Sequence, residues 1–387
     1  MTRLFTVLAG GLALATLVAL VILWPGDVRT PLAEGITVDS ERGEVERVEE
    51  RPCPGFIGQD CQLVSIRLES GPESGELVQV QLSAGNGLDP DVDPGDGVQV
   101  VKQPEPPPGT EPVTGTAYSI SDFERRRPML ILAALFVLAV LAFARWRGLL
   151  SLVGLAFSLA LVLLFVVPSI LDGNSPLAVA VAGSLAIALI TIPLAHGGGP
   201  KSISAMLGTA VSLLLTAGLA VLFTELTHLT GLGSEEATFL QLGQADLSLQ
   251  GLLLAGMVIG ALGVLDDVTI SQASTVMALR RADPGLGFRA LFARALDVGR
   301  DHVSATVNTL VLAYVGASLP ILLIFSSADL GLGEAANLEI VAKEIVATLV
   351  GSIGLIAAVP VTTALAALLA LSEDPGQLGD EAHAHAH

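Results

Sequence analysis

Residues 260–274 read GALGVLDDVTISQAS, and the folding of this stretch decides the architecture around it. An apolar run of membrane character, Gly251 to Leu265, meets two adjacent acids, Asp266 and Asp267. Small and hydroxylated residues follow. If a span enters at Gly251, Asp266 lies about 22 Å along a helix rising 1.5 Å per residue. In a hydrocarbon core of about 30 Å, that leaves it some 8 Å from the inner face. Acids at a helix C-terminus oppose the macrodipole, so a second helix is expected to begin at once. Thr269 followed by Gln272 has the capping-box spacing that would start it, over Ile270–Arg281. The stretch therefore predicts a helix break at Leu265–Thr269, either an ordinary exit from the membrane or an intramembrane site.

The surrounding composition supports a membrane setting. Of 387 residues, 52% are hydrophobic and 15% charged, against about 25% charged in soluble domains. Mean hydropathy is +0.70. The fold class expected is an α-helical polytopic membrane protein of about eight spans, with a small β-rich domain between the first two. The net charge of −19 is concentrated: residues 25–127 hold 20 of the 38 acids and 9 of the 19 bases. No basic stripe suggests a nucleic-acid partner.

Four segments follow. Residues 1–26 form a signal anchor, with Arg3 ahead of the apolar run Leu4–Leu23 and no small-x-small cleavage site after it. Residues 27–127 form a β-rich extracytoplasmic domain. Alternation marks strands at Glu44–Glu50, Leu63–Glu69, Leu77–Leu82 and Val98–Lys102, and a barrel of about five strands is expected. Residues 128–371 hold seven spans, near 129–144, 149–167, 177–195, 203–223, 251–270, 303–325 and 345–371. Residues 372–387 are a disordered cytoplasmic tail ending HAHAH. Arg3, Arg145/Arg147, Lys201 and the group Arg280, Arg281, Arg289, Arg294, Arg300 fall on alternate loops. The positive-inside rule then places both termini in the cytoplasm, although Arg125–Arg127 abut an outer end.

Several residues could carry chemistry. Arg300 and Asp301 open the seventh span on the same side as the aspartates, making Arg300 the expected counter-charge for one of them. Asp301 and Asn308 share a helix face. Ala305, Thr309, Ala313 and Ala317, with Gly256/Gly260, are small-residue rows that predict interior packing of the sixth and seventh spans. Between those spans, FRALFARALDVGR reads as a basic amphipathic helix in the headgroup layer. Cys53 and Cys61 fall in the exported domain, where an oxidising compartment would join them as a disulfide. The acids Asp89, Asp91, Asp93 and Asp96 make an acidic turn, not an EF-hand. HGGGPK (His196–Lys201) reads as a plain loop, and the His tail as a tail and not a metal site. No G-x-S-x-G, H-E-x-x-H or nucleotide fingerprint is present, so no enzyme and no cofactor is expected. No inverted repeat is visible in the sequence.

Three stretches together resemble one family: GALGVLDDVTISQAS, GRDHVSATVNTLVLAYVGASLP and EIVAKEIVATLVGSIGLIAAVPVTT. With KSISAMLGTAVS, they are similar to the YibE/F family of bacterial multipass membrane proteins. The resemblance implies a bacterial plasma-membrane location. It singles out Asp266, Asp267, Arg300, Asp301, Asn308 and Glu344 as site candidates, and it leaves activity open. The first functional expectation is a permease for an unknown solute or ion, with the lipid bilayer as its medium. The second is a non-transporting envelope protein whose exported domain binds a protein or polymer. An intramembrane enzyme using both aspartates ranks last, because neighbours on a helix point about 100° apart.

Overall fold

The computed structural model describes residues 2–26, 40–52, 60–83, 91–103, 117–233, 239–240, 247–328 and 330–373. The chain divides into two compact units: Thr30–Phe143, and Met1–Arg29 with Ala144–His387.

The first of these holds five strands, β1 (Ser40–Pro52), β2 (Asp60–Leu68), β3 (Leu77–Ser83), β4 (Gly97–Lys102) and β5 (Tyr118–Phe123). They form one antiparallel sheet in the order β3-β2-β1-β4-β5. Period-two alternation is the cause. Val64, Ile66 and Leu68 of β2, Val78, Val80 and Leu82 of β3, and Val98 and Val100 of β4 all enter one core. A register shift at Val45/Arg47 bends β1, and the edge strands β3 and β5 approach each other without pairing. The result is a curled sheet and not the closed barrel expected. The turn at Asp93–Asp96 is an acidic turn, as read: Asp93 N–H donates to Asp96 Oδ2 (2.9 Å), and Gly95, at φ 98°, occupies the left-handed region. Cys61 is buried at the start of β2 and is not a free thiol. Its expected partner Cys53 lies outside the described residues, as do Asp89 and the HAHAH tail.

Polar contacts tie the β2–β3 turn to β4 and β5. Lys102 Nζ and Tyr118 Oη both donate to the Glu73 carboxylate. Those bonds, Lys102 first, hold Glu73 below the usual carboxylate range. Burial, then the bond to Glu73, pushes Tyr118 up to about 12.

The helices are α1 (Thr2–Ile22), α2 (Arg126–Leu161), α3 (Val167–Leu171), α4 (Pro176–His196) and α5 (Pro200–Leu226). After them come α6 (Leu249–Ala282), α7 (Phe288–Ala317), α8 (Leu319–Ser327), α9 (Leu332–Asn337) and α10 (Glu339–Ser372). Among the described residues, six helical stretches are long and apolar enough to cross a membrane, or seven if the bent pair α7/α8 counts as one span. One of the six, Arg126–Leu171, has 46 residues, or about 69 Å at 1.5 Å per residue. That is twice a hydrocarbon core, and its backbone leaves helical geometry at Arg145 (φ 52°, ψ −125°). This is where the sequence reading separates two spans.

Local signals set most ends. Pro176 and Pro200 occupy the first turns of α4 and α5, where a missing N–H costs nothing. Ser248 caps α6 by accepting from Gly251 N–H (3.0 Å). Arg280 and Arg281 close α6, where cations suit the macrodipole.

One expectation fails here, and one is amended. The helix does not break at Leu265–Thr269: α6 runs unbroken for 34 residues. Thr269 Oγ1 caps nothing, and instead bonds the Asp266 carbonyl (3.1 Å) and the Thr209 hydroxyl (2.7 Å). Val268, Thr269, Ile270, Gln272 and Ala273 are buried, and this packing overrides the local capping pattern. FRALFARALDVGR is amphipathic as expected, burying Leu291, Ala295 and Gly299 and exposing Arg289 and Arg294, but it is the first half of α7 and not a separate helix.

The core of the helical unit is α5, α6 and α10, which pack most extensively on one another. Residues Ala205, Gly208, Ser212, Thr216 and Ala220 of α5 are all buried. So are Gly351, Gly354, Ala358, Thr362 and Ala366 of α10. The two rows have the same spacing on helices that run in opposite directions. They interlock reciprocally: a methyl on Gly208 would collide with the Thr362 side chain, and one on Gly354 with Thr216. Ser212 therefore faces Ala358 at the centre of a local two-fold crossing. Thr2 Oγ1 and Ser372 Oγ, 3.1 Å apart, join the start of α1 to the end of α10. Gly26 N–H donates to Asp172 Oδ2 (3.0 Å) where α1 has ended and α3 closes.

Gly354→Ala is expected to cost about 1–3 kcal/mol by overpacking, read as a lower melting temperature of the purified protein in detergent. Adding Thr216→Ala should recover much of the loss. In the sheet, Tyr118 lies above its ordinary value, so its stabilisation is complete below about pH 10 and is lost as pH rises through about 12. In a Tyr314→Phe background, where Tyr118 is the one remaining tyrosine, phenolate absorbance should appear near that upper value. Glu73→Gln should bring the transition down.

Candidate functional site

The site is built from α6 outward. Asp266 stands at the midpoint of α6, half-buried, while Asp267 is exposed on the next face. Register against the neighbouring helices fixes the level of Asp266. Thr209 of α5 meets Thr269 of α6, and Gln250 Nε2 donates to the Leu229 carbonyl just past α5 (3.1 Å). Twenty residues along α5 thus match nineteen back along α6. Three residues from the threonine pair, Ser212 lies level with Asp266. Ser212 is near the middle of α5, while Gly251 packs against Pro176 at the start of α4, so the same level falls about 8 Å short of the end of α4.

Here polar atoms lack partners. Asp266 Oδ1, Ser212 Oγ and Thr362 Oγ1 are buried with no hydrogen bond, and they come from α6, α5 and α10. Other hydroxyls of these helices bond a carbonyl one turn back, Thr216 to Ser212 O (2.8 Å), Thr363 to Val359 O (2.6 Å) and Thr348 to Glu344 O (2.6 Å), while Thr224 Oγ1 and Ser352 Oγ are also buried without a partner. One turn from Asp266, polar groups are satisfied. Gln272 Nε2 donates to the Ala295 carbonyl (2.8 Å) and to Thr363 Oγ1 (2.7 Å), tying α6, α7 and α10. Gly299 makes this possible, since a methyl there would strike Val359 and Gln272.

Asp267 has a different setting. His196 at the end of α4 feels the charges of Lys201, Arg147 and Asp267 together. Asp267 also ends an exposed stripe of α6 formed by Gly256, Gly260 and Gly263. A methyl on Gly256 or Gly263 would meet nothing within 4 Å, and one on Gly260 only the Tyr314 hydroxyl, at 3.5 Å. The stripe is an exposed face of α6, bare of side chains, that ends at the Asp267 carboxylate.

The other sequence candidates do not join this centre. Arg300 pairs with Asp297 (2.7 Å), three residues back on its own helix, with both side chains exposed. It is not the counter-charge of either aspartate. Asp301 and Asn308 are exposed on α7, as are Ala305, Thr309, Ala313 and Ala317, so this row does not pack in the interior. Glu344 is half-buried near the start of α10 and acts on Tyr314. It is fourteen residues from Ala358, about 21 Å along the helix. Residues the sequence reading missed are Ser212, Thr209, Thr269, Thr362, Gln272 and Thr363, with His196, Lys201 and Arg147. The available signal was the series Ser202, Thr209, Ser212, Thr216, Thr224, a hydroxyl stripe on one face of an apolar span.

Long apolar helices exposing Val7, Leu14, Leu17, Leu214, Leu222 and Ile356 suit a lipid surface. With the polar residues gathered inside, these features define a multipass membrane protein. The chain belongs to a particular family of them: the family described as YibE/F-like protein matches residues 132–372, well over half its length. No curated protein and no solved structure matches the chain.

Arg300→Ala is expected to change the stability of the purified protein by no more than about 1 kcal/mol, as for other exposed pairs. Gln272→Leu removes two buried hydrogen bonds, to the Ala295 carbonyl and the Thr363 hydroxyl, and should cost about 1–3 kcal/mol. Thermal unfolding in detergent compares them, and the reverse order would contradict these placements.

Proposed function

We propose that this YibE/F-like protein is a permease of the bacterial plasma membrane, working through a site at Asp266. One observation carries the reading: a carboxylate oxygen, Asp266 Oδ1, buried without a partner in an apolar helix bundle. Acids within a span are costly to insert, and such residues mark ion or solute pathways. The open glycine face of Gly256, Gly260 and Gly263 that ends at Asp267 is the accompanying route for a solute. Eight spans, both termini in the cytoplasm and the sheet outside belong to the same proposal. The joining of Thr2 to Ser372 supports a shared side for the two ends. An enzyme reading is set aside, because Asp266 and Asp267 diverge on an unbroken helix.

The test is flux of candidate solutes in proteoliposomes. Asp266→Asn should lower flux about tenfold or more, the scale set by losing an interaction with a charged group. Asp301→Asn and Asn308→Ala should stay close to wild type. If removing residues 27–127 abolishes the cellular phenotype while flux persists, the sheet, as a binding module for an envelope partner, carries the function instead.

A further inference from the structure

Charge is divided between the two ends of the helical unit. At one end, α6 and α10 begin beside the close of α5. Gln250 Nε2 bonds the Leu229 carbonyl there, Glu339 accepts from the Gly231 amide, and Gly251 packs against Pro176. The acids Asp172, Glu225, Glu334 and Glu339 gather at this end. At the opposite end α6 turns into α7, and α10 finishes beside the start of α1. Arg3 stands there, directly after Thr2. Residues 280–300 carry five arginines, Arg280, Arg281, Arg289, Arg294 and Arg300, against two acids, Asp283 and Asp297. This is a local positive excess in a chain whose net charge is −19.

The turn between α6 and α7 is firmly built. Arg280 donates to the Pro284 and Leu286 carbonyls, Gly285 N–H donates to Asp283 Oδ1 (3.2 Å), and Leu286 is buried. Arg294 reaches back to Asp283 (3.5 Å). Arg281 and Arg289 remain exposed, with no ion pair or hydrogen bond among the described residues. At about 100° per residue, the first turns of α7 sort into faces. Leu291, Ala295 and Gly299 are buried. Phe288, Phe292 and Leu296 fall on one flank, and Arg289 with Arg300 on the outer face. Phe288 and Phe292 stack (5.9 Å between centroids, 26°), yet Phe288 stays 38% exposed. The helices also overrun a hydrocarbon core. They have 34 and 30 residues, about 51 and 45 Å against about 30 Å. The excess falls at their arginine-bearing ends, because α6 is apolar from Gly251 onward.

We propose that the tip of the α6–α7 hairpin is a docking surface for anionic phospholipid. Arg281 and Arg289 hold headgroup phosphates, and the Phe288/Phe292 pair lies against the adjoining apolar layer. Guanidinium forks match phosphate oxygens bidentately, and aromatic rings suit the boundary between headgroup and chain. Lipid is the occupant because unpaired cations and an exposed aromatic flank share one tip, joining two helices that overrun an apolar core. Water alone would suit only the cations. The inference does not rest on the permease reading and requires only that the helical unit lie in a bilayer.

The test titrates the full-length protein in mild detergent with phosphatidylglycerol or with phosphatidylcholine. Retained lipid is counted by native mass spectrometry, and melting temperature is followed alongside. The wild type should bind phosphatidylglycerol at least about tenfold more tightly, and added salt should shrink that preference. Arg281→Gln with Arg289→Gln should weaken phosphatidylglycerol binding about thirtyfold, a factor of roughly five for each arginine. Phosphatidylcholine binding should not change, which shows that the variant is folded. Arg281→Lys with Arg289→Lys keeps the charge and should retain part of the preference. Arg42→Gln with Arg51→Gln, two exposed arginines of the sheet, should leave it intact. The proposal is overturned if the paired glutamine variant keeps the wild-type preference, or if the sheet variant loses as much. It is also overturned if glycerol phosphate, the headgroup without chains, competes at equal concentration, since the site would then take a free anion. A wild type that binds both lipids equally overturns it too, and leaves the arginines for an acidic protein partner.

Discussion

Two glycines set the distance between α5 and α10, and the centre of the helical unit follows from that distance. Gly208 receives Thr362 and Gly354 receives Thr216, so the two backbones approach as closely as side chains allow. Lipid supplies no hydrophobic drive between helices, and close packing of small residues must hold them. With α5 and α10 locked, α6 can lie along both, and its midpoint meets theirs. That is why a single acid, Asp266, reaches the interior while its neighbour Asp267 stays outside.

Much of this architecture was legible, and what was missed has physical reasons. The spans near 177–195 and 203–223 fell within a few residues of α4 and α5, because Pro176, the Gly197–Gly199 run and Pro200 are local punctuation. The strands were legible through alternation. Only β5 went unmarked, a six-residue strand with Tyr118 and Ile120 facing its core. The helix break failed because Thr269 and Gln272 look like a capping box only while α5 and α10 are out of sight. Once they are present, the same hydroxyl and amide bond Thr209 and Thr363 instead.

The site was half legible. Asp266 and Asp267 stood out as acids in an apolar run. Pairing them with Arg300 required knowing how α7 is rotated, and opposite sign alone does not encode rotation. The groups that do surround the centre are serines, threonines and a glutamine. In an isolated sequence these are ordinary residues of a membrane helix. The matched rows of α5 and α10 were invisible for a similar reason. Ala, Gly, Ser and Thr recur everywhere in such helices, and their spacing acquires meaning only when two particular rows are seen to touch.

The reciprocal crossing has one more consequence. A junction that looks the same from either face carries no arrow. Nothing in Gly208, Ser212 and Thr216 against Gly354, Ala358 and Thr362 distinguishes inward from outward passage. Any vectorial behaviour must therefore be written at the two ends of the helices, and those ends are unlike. One has His196 with the cations Arg147 and Lys201 near it. The other has Glu339 clamping the Thr230 and Gly231 amides at 2.8 and 2.6 Å. The middle would be indifferent to direction, and the polarity of the molecule would reside in its rims.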